Sequence, residues 1–303
     1  MLHVRLLFNN INYLHPSKPT KGKVTAKSEG TTHTHYTFAV SHYLKKMDLF
    51  NFSKRKIQGY VYASNDENEL FENAKVGDSI IKKNKKPPFI VVDHSLETKI
   101  VTQWPGKLFK VEVINPSREK RINKGLVNDV WYTRTFGVKI LEEVAIKELF
   151  GDNGQEIEQI INLTRNISEN KVLELSKFDK GLNSELYTKA WQNCIKIYDA
   201  NHPFVNDNHD NTIELSAKNE RYSSPIKEGL SIISSQFDIR ARELVGDSAF
   251  GIDEDGEIYL KPVWAKAVEK ILHAGMSYAS DNILTESEGK KLREPFKKVF
   301  GIN

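Results

Sequence analysis

KLFKVEVINPSREKRINKGLVNDVWYTRTFGVKIL, residues 107–141, is the stretch on which the fold turns. Its opening, KLFKVEVI, alternates apolar and polar side chains. This places Phe109, Val111 and Val113 on one face of a strand and Lys110 and Glu112 on the other. Asn115-Pro116-Ser117 signals a turn. Arg118, Lys120, Arg121 and Lys124 form a basic run that Gly125 ends. VWYTRTFGVKIL follows, rich in the aromatic and β-branched residues that suit a pleated surface. Two readings fit. Cations beside exposed rings suit single-stranded nucleic acid, the cations neutralising phosphates and the rings stacking on bases. A strand pair with a solvated basic turn and its aromatics in the core accounts for the same residues without a ligand.

The charge distribution bears on that choice. Residues 1–140 hold 24 Lys and Arg against 12 Asp and Glu, a net of +12; the remainder holds 20 against 28, a net of −8. Such asymmetry points to a polyanion partner for the basic half, or to halves that attract each other within a chain or between copies. At 303 residues, with 39% hydrophobic and 28% charged residues, the chain is long enough and apolar enough for a sizeable core. One cysteine, Cys194, excludes a disulfide framework within the chain and a cysteine-rich zinc site. The apolar run in MLHVRLLFNN is too short for a signal peptide's core, and no stretch approaches a membrane span, so a cytoplasmic chain without membrane contact is expected.

Before the central stretch, HVRLLFN reads as a strand and residues 12–32 as a loop bearing Lys18, Lys21, Lys23 and Lys27, with a short strand at KVTAK. HYTFAVSHYLKKM has helical spacing and ends on Lys45 and Lys46, which suit the negative end of a helix dipole. RKIQGYVYAS reads as a strand with Tyr60 and Tyr62 on one face. Residues 78–103 read as a hairpin-like excursion with a basic tip at Lys82, Lys83, Lys85 and Lys86. After residue 141 the chain turns helical and acidic. EEVAIKELFG ends at Gly151, EIEQIINLTRNI follows, and LNSELYTKAWQNCIKIYDANHP is a long amphipathic helix. TIELSAKNE is a strand candidate. IKEGLSIISSQFDIRARELVG is mixed, with a helix in its first part. Asp255-Gly256 marks a hairpin turn, and Pro262 opens a helix over PVWAKAVEKILHAGMSYA. The expected class is α+β: an antiparallel sheet with helices on one face and a more helical C-terminal half. A basic, sheet-rich 1–140 and an acidic, helical 141–303 would form one integrated domain.

Signals for catalysis are fragmentary. His35-Tyr36-Thr37 fits one His-x-Thr element, but two-histidine phosphoester chemistry needs a second, so that one imidazole is base and the other acid. His33 and His35 could join Asp93, His94, His209 or Asp210 around a divalent metal if the fold brought them together. Asp253, Glu254, Asp255 and Glu257 precede Lys261 at the wrong spacing for a restriction-type nuclease. No phosphate-binding Gly-x-x-x-x-Gly-Lys loop, nucleophile elbow or dinucleotide fingerprint is present, so no cofactor and no metal is expected.

The layout resembles the backbone subunits of CRISPR interference complexes, which belong to the RAMP superfamily and share an RRM-like core. The resemblance rests on the strand, lysine-bearing loop, helix and strand of the first sixty residues and on the basic excursion at 78–103. ERYSSPIKEGLSIISSQF, residues 220–237, also resembles the Ser-rich turn and helix late in the type I-F subunit. It implies a non-catalytic chain that grips the backbone of a guide RNA and polymerises along it. Partners would be further copies, other subunits and, in such complexes, target DNA. Lys82, Lys83, Lys85 and Lys86 would sit on a thumb, and Arg118, Lys120, Arg121 and Lys124 would line the RNA groove. Lys21, Lys23, Lys27, Lys45, Lys46, Arg55, Trp131, Tyr132 and Arg134 complete the RNA-binding candidates. Two alternatives stand beside it: a metal-dependent phosphodiesterase or nuclease using His33, His35 and His94, and a phage or mobile-element structural protein whose charge asymmetry serves self-association.

Overall fold

The computed structural model describes residues 56–65, 70–84, 89–99, 101, 103–114, 132–178, 181–201, 225–280 and 283–302. The elements expected before residue 55, the basic run 118–124 and the strand candidate at 212–220 lie outside these residues. The described part is an antiparallel six-stranded sheet with helices and a helical C-terminal half, the class that the sequence indicates.

The strands are β1 (Gln58–Ser64), β2 (Ser79–Ile81), β3 (Ile90–Asp93), β4 (Gly106–Val113), β5 (Tyr132–Thr135) and β6 (Gly137–Val144). Their spatial order is β2-β6-β4-β1-β3-β5. Phe136 alone separates β5 from β6 in the chain, yet the two stand four places apart in this order. In a flat sheet those places would lie about 19 Å apart at ~4.8 Å per strand. One residue spans at most about 3.6 Å. The sheet must therefore curl, with a single bent strand serving both positions. Thr135 fixes the bend: its hydroxyl donates to the Gly137 carbonyl and accepts from the Gly137 N–H. The expectation of a hairpin at 78–103 is corrected here. β2 pairs with β6, whereas β3 pairs with β1 and β5, so the two runs separate rather than fold on each other.

Curling gives the sheet an inner and an outer face. Val61, Ala63, Ile90, Val92, Phe109, Val111, Val138 and Ile140 form the inner cluster, with Phe71 and Ala74 packed into it. The alternation in KLFKVEVI thus holds, with Phe109 and Val111 buried together and Val113 packed against them. On the outer face Tyr62 and Leu108 join the helical core, and Tyr60 and Val144 pack against it. Val138, Ile140 and Val144 share parity along β6, so a regular strand would point all three the same way. A bulge intervenes: Lys110 faces Glu142 while Val111 faces Ile140. The extra residue, Leu141, turns Val144 toward Leu108 and the helices. β6 thus continues to Val144, beyond the point where the sequence turned helical. Only a 3-10 turn, Ile146–Phe150, follows.

Among the described residues six helices build the core that Tyr62 and Leu108 join: α1 (Gly154–Arg165), α2 (Glu169–Ser176), α3 (Gly181–Asn201), α4 (Pro225–Val245), α5 (Pro262–Ala279) and α6 (Glu286–Phe300). α4 is helical throughout, not only in its first part. Its buried Ile226, Leu230, Ile233, Phe237 and Ala241 recur at helical spacing across the whole span. Central α5 buries residues on nearly every side, Trp264, Ala267, Ile271, Ala274 and Met276 among them. Pro262 occupies its first turn. A two-stranded hairpin, β7 (Phe250–Ile252) and β8 (Ile258–Leu260), precedes it. Gly256 turns that hairpin at φ 81°, a conformation open to glycine without a Cβ penalty. α4 is tied to the sheet connection by Glu228, whose Oε1 accepts the Val101 N–H at 2.6 Å. No helix among the described residues is long and apolar enough to cross a membrane.

Candidate nucleic-acid interface

β5 is the last strand in the sheet order and carries Arg134. Tyr132 and Arg134 share one face of it, Thr133 and Thr135 the other. The Arg134 side chain is exposed, and its guanidinium carbon lies 5.8 Å from the ring centroids of both Phe89 and Tyr132. Both distances are within the reach of cation–π attraction. Phe89 reaches this place because it immediately precedes β3, and Ile90 pairs with Thr135. Its ring centroid lies 5.2 Å from that of Phe136, the residue of the β5–β6 bend. The Phe136 carbonyl in turn accepts the Lys82 N–H at 2.8 Å, where β2 ends beside β6. The curl therefore gathers Lys82, Phe89, Tyr132, Arg134 and Phe136, with exposed Lys83 next in the chain.

The chemistry of this group is mixed by position. Phe89 and Phe136 are half-buried and keep part of each ring in contact with solvent. Arg134 retains its charge at any working pH and can fork to a phosphate. Tyr132 is a correction to the sequence reading. It is 8% exposed, so its ring supports Arg134 from below and offers no open face to a base. The part-exposed rings at this end of the sheet are instead those of Phe89 and Phe136, which the sequence analysis does not single out. Phe89 stands at the head of the apolar run Phe89-Ile90-Val91-Val92, which reads as strand core. The signal was its place directly after Pro87-Pro88, at a strand entry facing a basic segment.

Of the other candidates, Lys21, Lys23, Lys27, Lys45, Lys46, Arg55, Lys85, Lys86, Arg118, Lys120, Arg121, Lys124 and Trp131 lie outside the described residues, as do His33, His35 and His209. His94 is described: its Nε2 lies 2.8 Å from Thr133 Oγ1, on the face of β5 opposite Arg134. Among the described residues no three His, Cys, Asp or Glu side chains converge as a metal site would require.

A second polar group lies between α3 and α5. Ser184 Oγ donates to Glu269 Oε1. The same oxygen lies 3.9 Å from Lys270 Nζ and 3.8 Å from His273 Nε2. The Tyr187 ring packs on His273 with centroids 5.0 Å apart. Burial, helped by the Lys270 charge, pushes the His273 imidazole down to about 3. Burial likewise raises the Tyr187 phenol, with Glu269 adding to the effect. Lys270 is 0% and His273 1% exposed. The Ser184–Glu269 bond and the Tyr187–His273 ring contact join α3 to α5 across this cluster. Glu269-Lys270-Ile271-Leu272-His273, polar at i, i+1 and i+4 in an otherwise apolar helix, was its signal.

No protein-family model matches the chain, and neither a curated protein nor a solved structure matches it.

Proposed function

We propose that the chain is a cytoplasmic, non-catalytic RNA-binding protein that holds single-stranded RNA across the β5 end of its curled sheet. The observation that carries this reading is the grouping of Arg134, Lys82 and Lys83 with the part-exposed rings of Phe89 and Phe136. Single strands need both elements, since cations meet phosphates and rings meet the π-faces of bases. The basic run Arg118–Lys124 supports the same reading from connectivity, because it lies in the segment that delivers the chain to β5. The narrower form of the proposal is a backbone subunit of a CRISPR-type ribonucleoprotein, which polymerises along a guide RNA and meets other subunits of the complex.

The test has two parts. Protein purified at low salt is followed by absorbance ratio and elution size, before and after RNase. The assembly reading expects RNA-bearing particles that collapse on digestion. Anisotropy of a labelled 20-nucleotide RNA is then read for Phe89→Ala, Phe136→Ala and Arg134→Glu. Each lost base stack is worth about 1–3 kcal/mol, so each Phe variant should bind about 5- to 150-fold more weakly. Wild-type protein with no RNA affinity at low salt would sink the proposal.

A further inference from the structure

The second half of the chain is acidic in sum, but α6 concentrates cations on its outer side. Gly289, Leu292 and Phe296 are buried on the inner side. Lys290, Lys291, Lys297 and Lys298 face outward as two pairs seven residues apart, a rise of about 10 Å along the helix. With Arg293 and the single carboxylate of Glu294 they line an open groove of about 660 Å³. We infer that this groove binds the phosphate backbone of a nucleic-acid duplex, as a site separate from the one at β5.

Three features carry the inference. The first is that these cations exceed what α6 needs for itself. Lys297 and Lys298 suit the negative end of the helix dipole, but Lys290, Lys291 and Arg293 stand in its middle. Lys290 and Lys298 make exposed i, i+4 pairs with Glu286 at 2.9 Å and Glu294 at 2.7 Å, which cost little to exchange for a phosphate. Lys291 and Lys297 have no ion pair among the described residues. Arg293 is held over the Tyr278 ring at 5.1 Å. The second is density. Five cations lie between Lys290 and Lys298 of one helix, and such a cluster raises the local concentration of an anionic partner.

The third is what the groove lacks. A membrane-surface helix must present an apolar face, and Leu292 and Phe296 of α6 are turned inward at 0% and 2% exposure. A protein partner would need apolar or aromatic anchors, and Ile302 is the only apolar side chain of any size in the lining. No ring lines the groove, so it offers nothing to unstacked bases. A rigid row of cations without stacking surface fits an evenly spaced, base-paired backbone.

The experiment uses the full chain, a fluorescein-labelled 20-bp DNA duplex and a labelled 20-nucleotide RNA, titrated from 50 to 200 mM salt. In Lys291→Glu/Lys297→Glu, duplex affinity should fall at least tenfold. The log–log salt slope should fall by about two, at ~0.9 per lost phosphate contact. Single-strand affinity should stay within twofold. Lys291→Gln/Lys297→Gln, which adds no charge, should show the same losses in smaller measure. Lys297→Glu sets a negative charge against the dipole end of α6, so a modestly lower melting temperature is expected in the Glu variant alone. Arg134→Glu should leave duplex binding intact. Duplex affinity and slope unchanged in the Glu variant would overturn the inference. So would wild-type protein that ignores duplex at 50 mM salt, or that binds phosphatidylserine vesicles through these lysines instead. Wild-type protein that binds the duplex but not the single-stranded RNA would count against the β5 site and leave the α6 groove standing.

Discussion

Lys99 Nζ lies 2.6 Å from Asp93 Oδ2, with the two side chains only 8% and 1% exposed. Asp93 closes β3 opposite Tyr60 of β1 and Tyr132 of β5, so this ion pair stands beside the strand that carries Arg134. Removing one partner of a buried pair leaves a charge without compensation, at a cost of about 3–5 kcal/mol. Lys99→Met is therefore expected to lower the urea midpoint sharply. Asp93→Asn combined with Lys99→Met should recover much of the loss, because neither side then carries an orphan charge. A double variant no more stable than Lys99→Met would show that Asp93 is needed for contacts other than Lys99.

Gly59 makes a second demand at the same place. A Cβ there would stand 2.2 Å from the Asp93 carbonyl oxygen and 2.8 Å from Val92 Cγ1. β1 and β3 approach closely here, where the sheet curls toward β5. Gly59→Ala must push β3 outward, and overpacking of this kind costs about 1–3 kcal/mol. β3 supports β5, so RNA affinity should drop together with stability. Equilibrium unfolding and RNA anisotropy on one preparation would reveal whether the two losses travel together.

Helix α5 was legible because its periodicity is local: Ala267, Ile271 and Ala274 announce a buried stripe within a few turns. The alternation of Phe109 and Val111 announced β4 in the same way. The short α2 buries only Val172 and Leu175 on its core-facing side, too few to mark a stripe in the sequence. The curl was not legible, since it depends on which strands pair across forty or more residues. Neither Ile80 nor Ile90 states whether its partner is the other or a distant strand. Phe136 looked like one more aromatic in a strand, and only the bend at Thr135–Gly137 makes it a corner that meets Phe89. The α6 groove was hidden differently: summing charge over residues 141–303 buried five local cations under a net negative total.

Thr285 caps α6 in a reciprocal arrangement. Its hydroxyl accepts the Glu288 N–H at 3.3 Å, and Glu288 Oε2 accepts the Thr285 N–H at 2.9 Å. Bonds from Thr285 hold the Glu288 carboxyl below the usual carboxylate range. Thr285→Ala removes one half of the box and should cost about 1 kcal/mol. Thr285→Ser keeps the oxygen and should cost much less. Hydrogen exchange along Glu286–Gly289 would locate the loss at the helix start, and protection unchanged there in the Ala variant would contradict the capping account.

A buried histidine and a half-buried aspartate set opposite slopes in the stability of the fold against pH. His273, with Glu269, Lys270 and Tyr187 around it, is pushed down to about 3 from an ordinary 6.5. Between those values the unfolded chain takes up a proton that the folded chain refuses, so stability falls as pH drops from about 6.5 toward 3. Asp238 on α4 is pushed up to about 6 from 3.8, chiefly by burial and against the opposing charge of Arg242. Here the folded chain holds the extra proton, so stability rises as pH drops from about 6 toward 3.8. Each one-proton difference limits its slope to about 1.4 kcal/mol per pH unit. Between pH 6 and 4 the two largely oppose each other, and their contribution to the wild-type profile should be nearly flat. Asp238→Asn removes the compensating group and should unmask a steady fall in unfolding free energy on acidification. It should also be more stabilising relative to wild type at pH 7.5 than at pH 4.5, because only at the higher pH does the wild-type carboxylate carry its buried charge. Urea titrations at half-unit steps from pH 7.5 to 4 measure both. A variant profile parallel to wild type across that range would remove Asp238 from the balance.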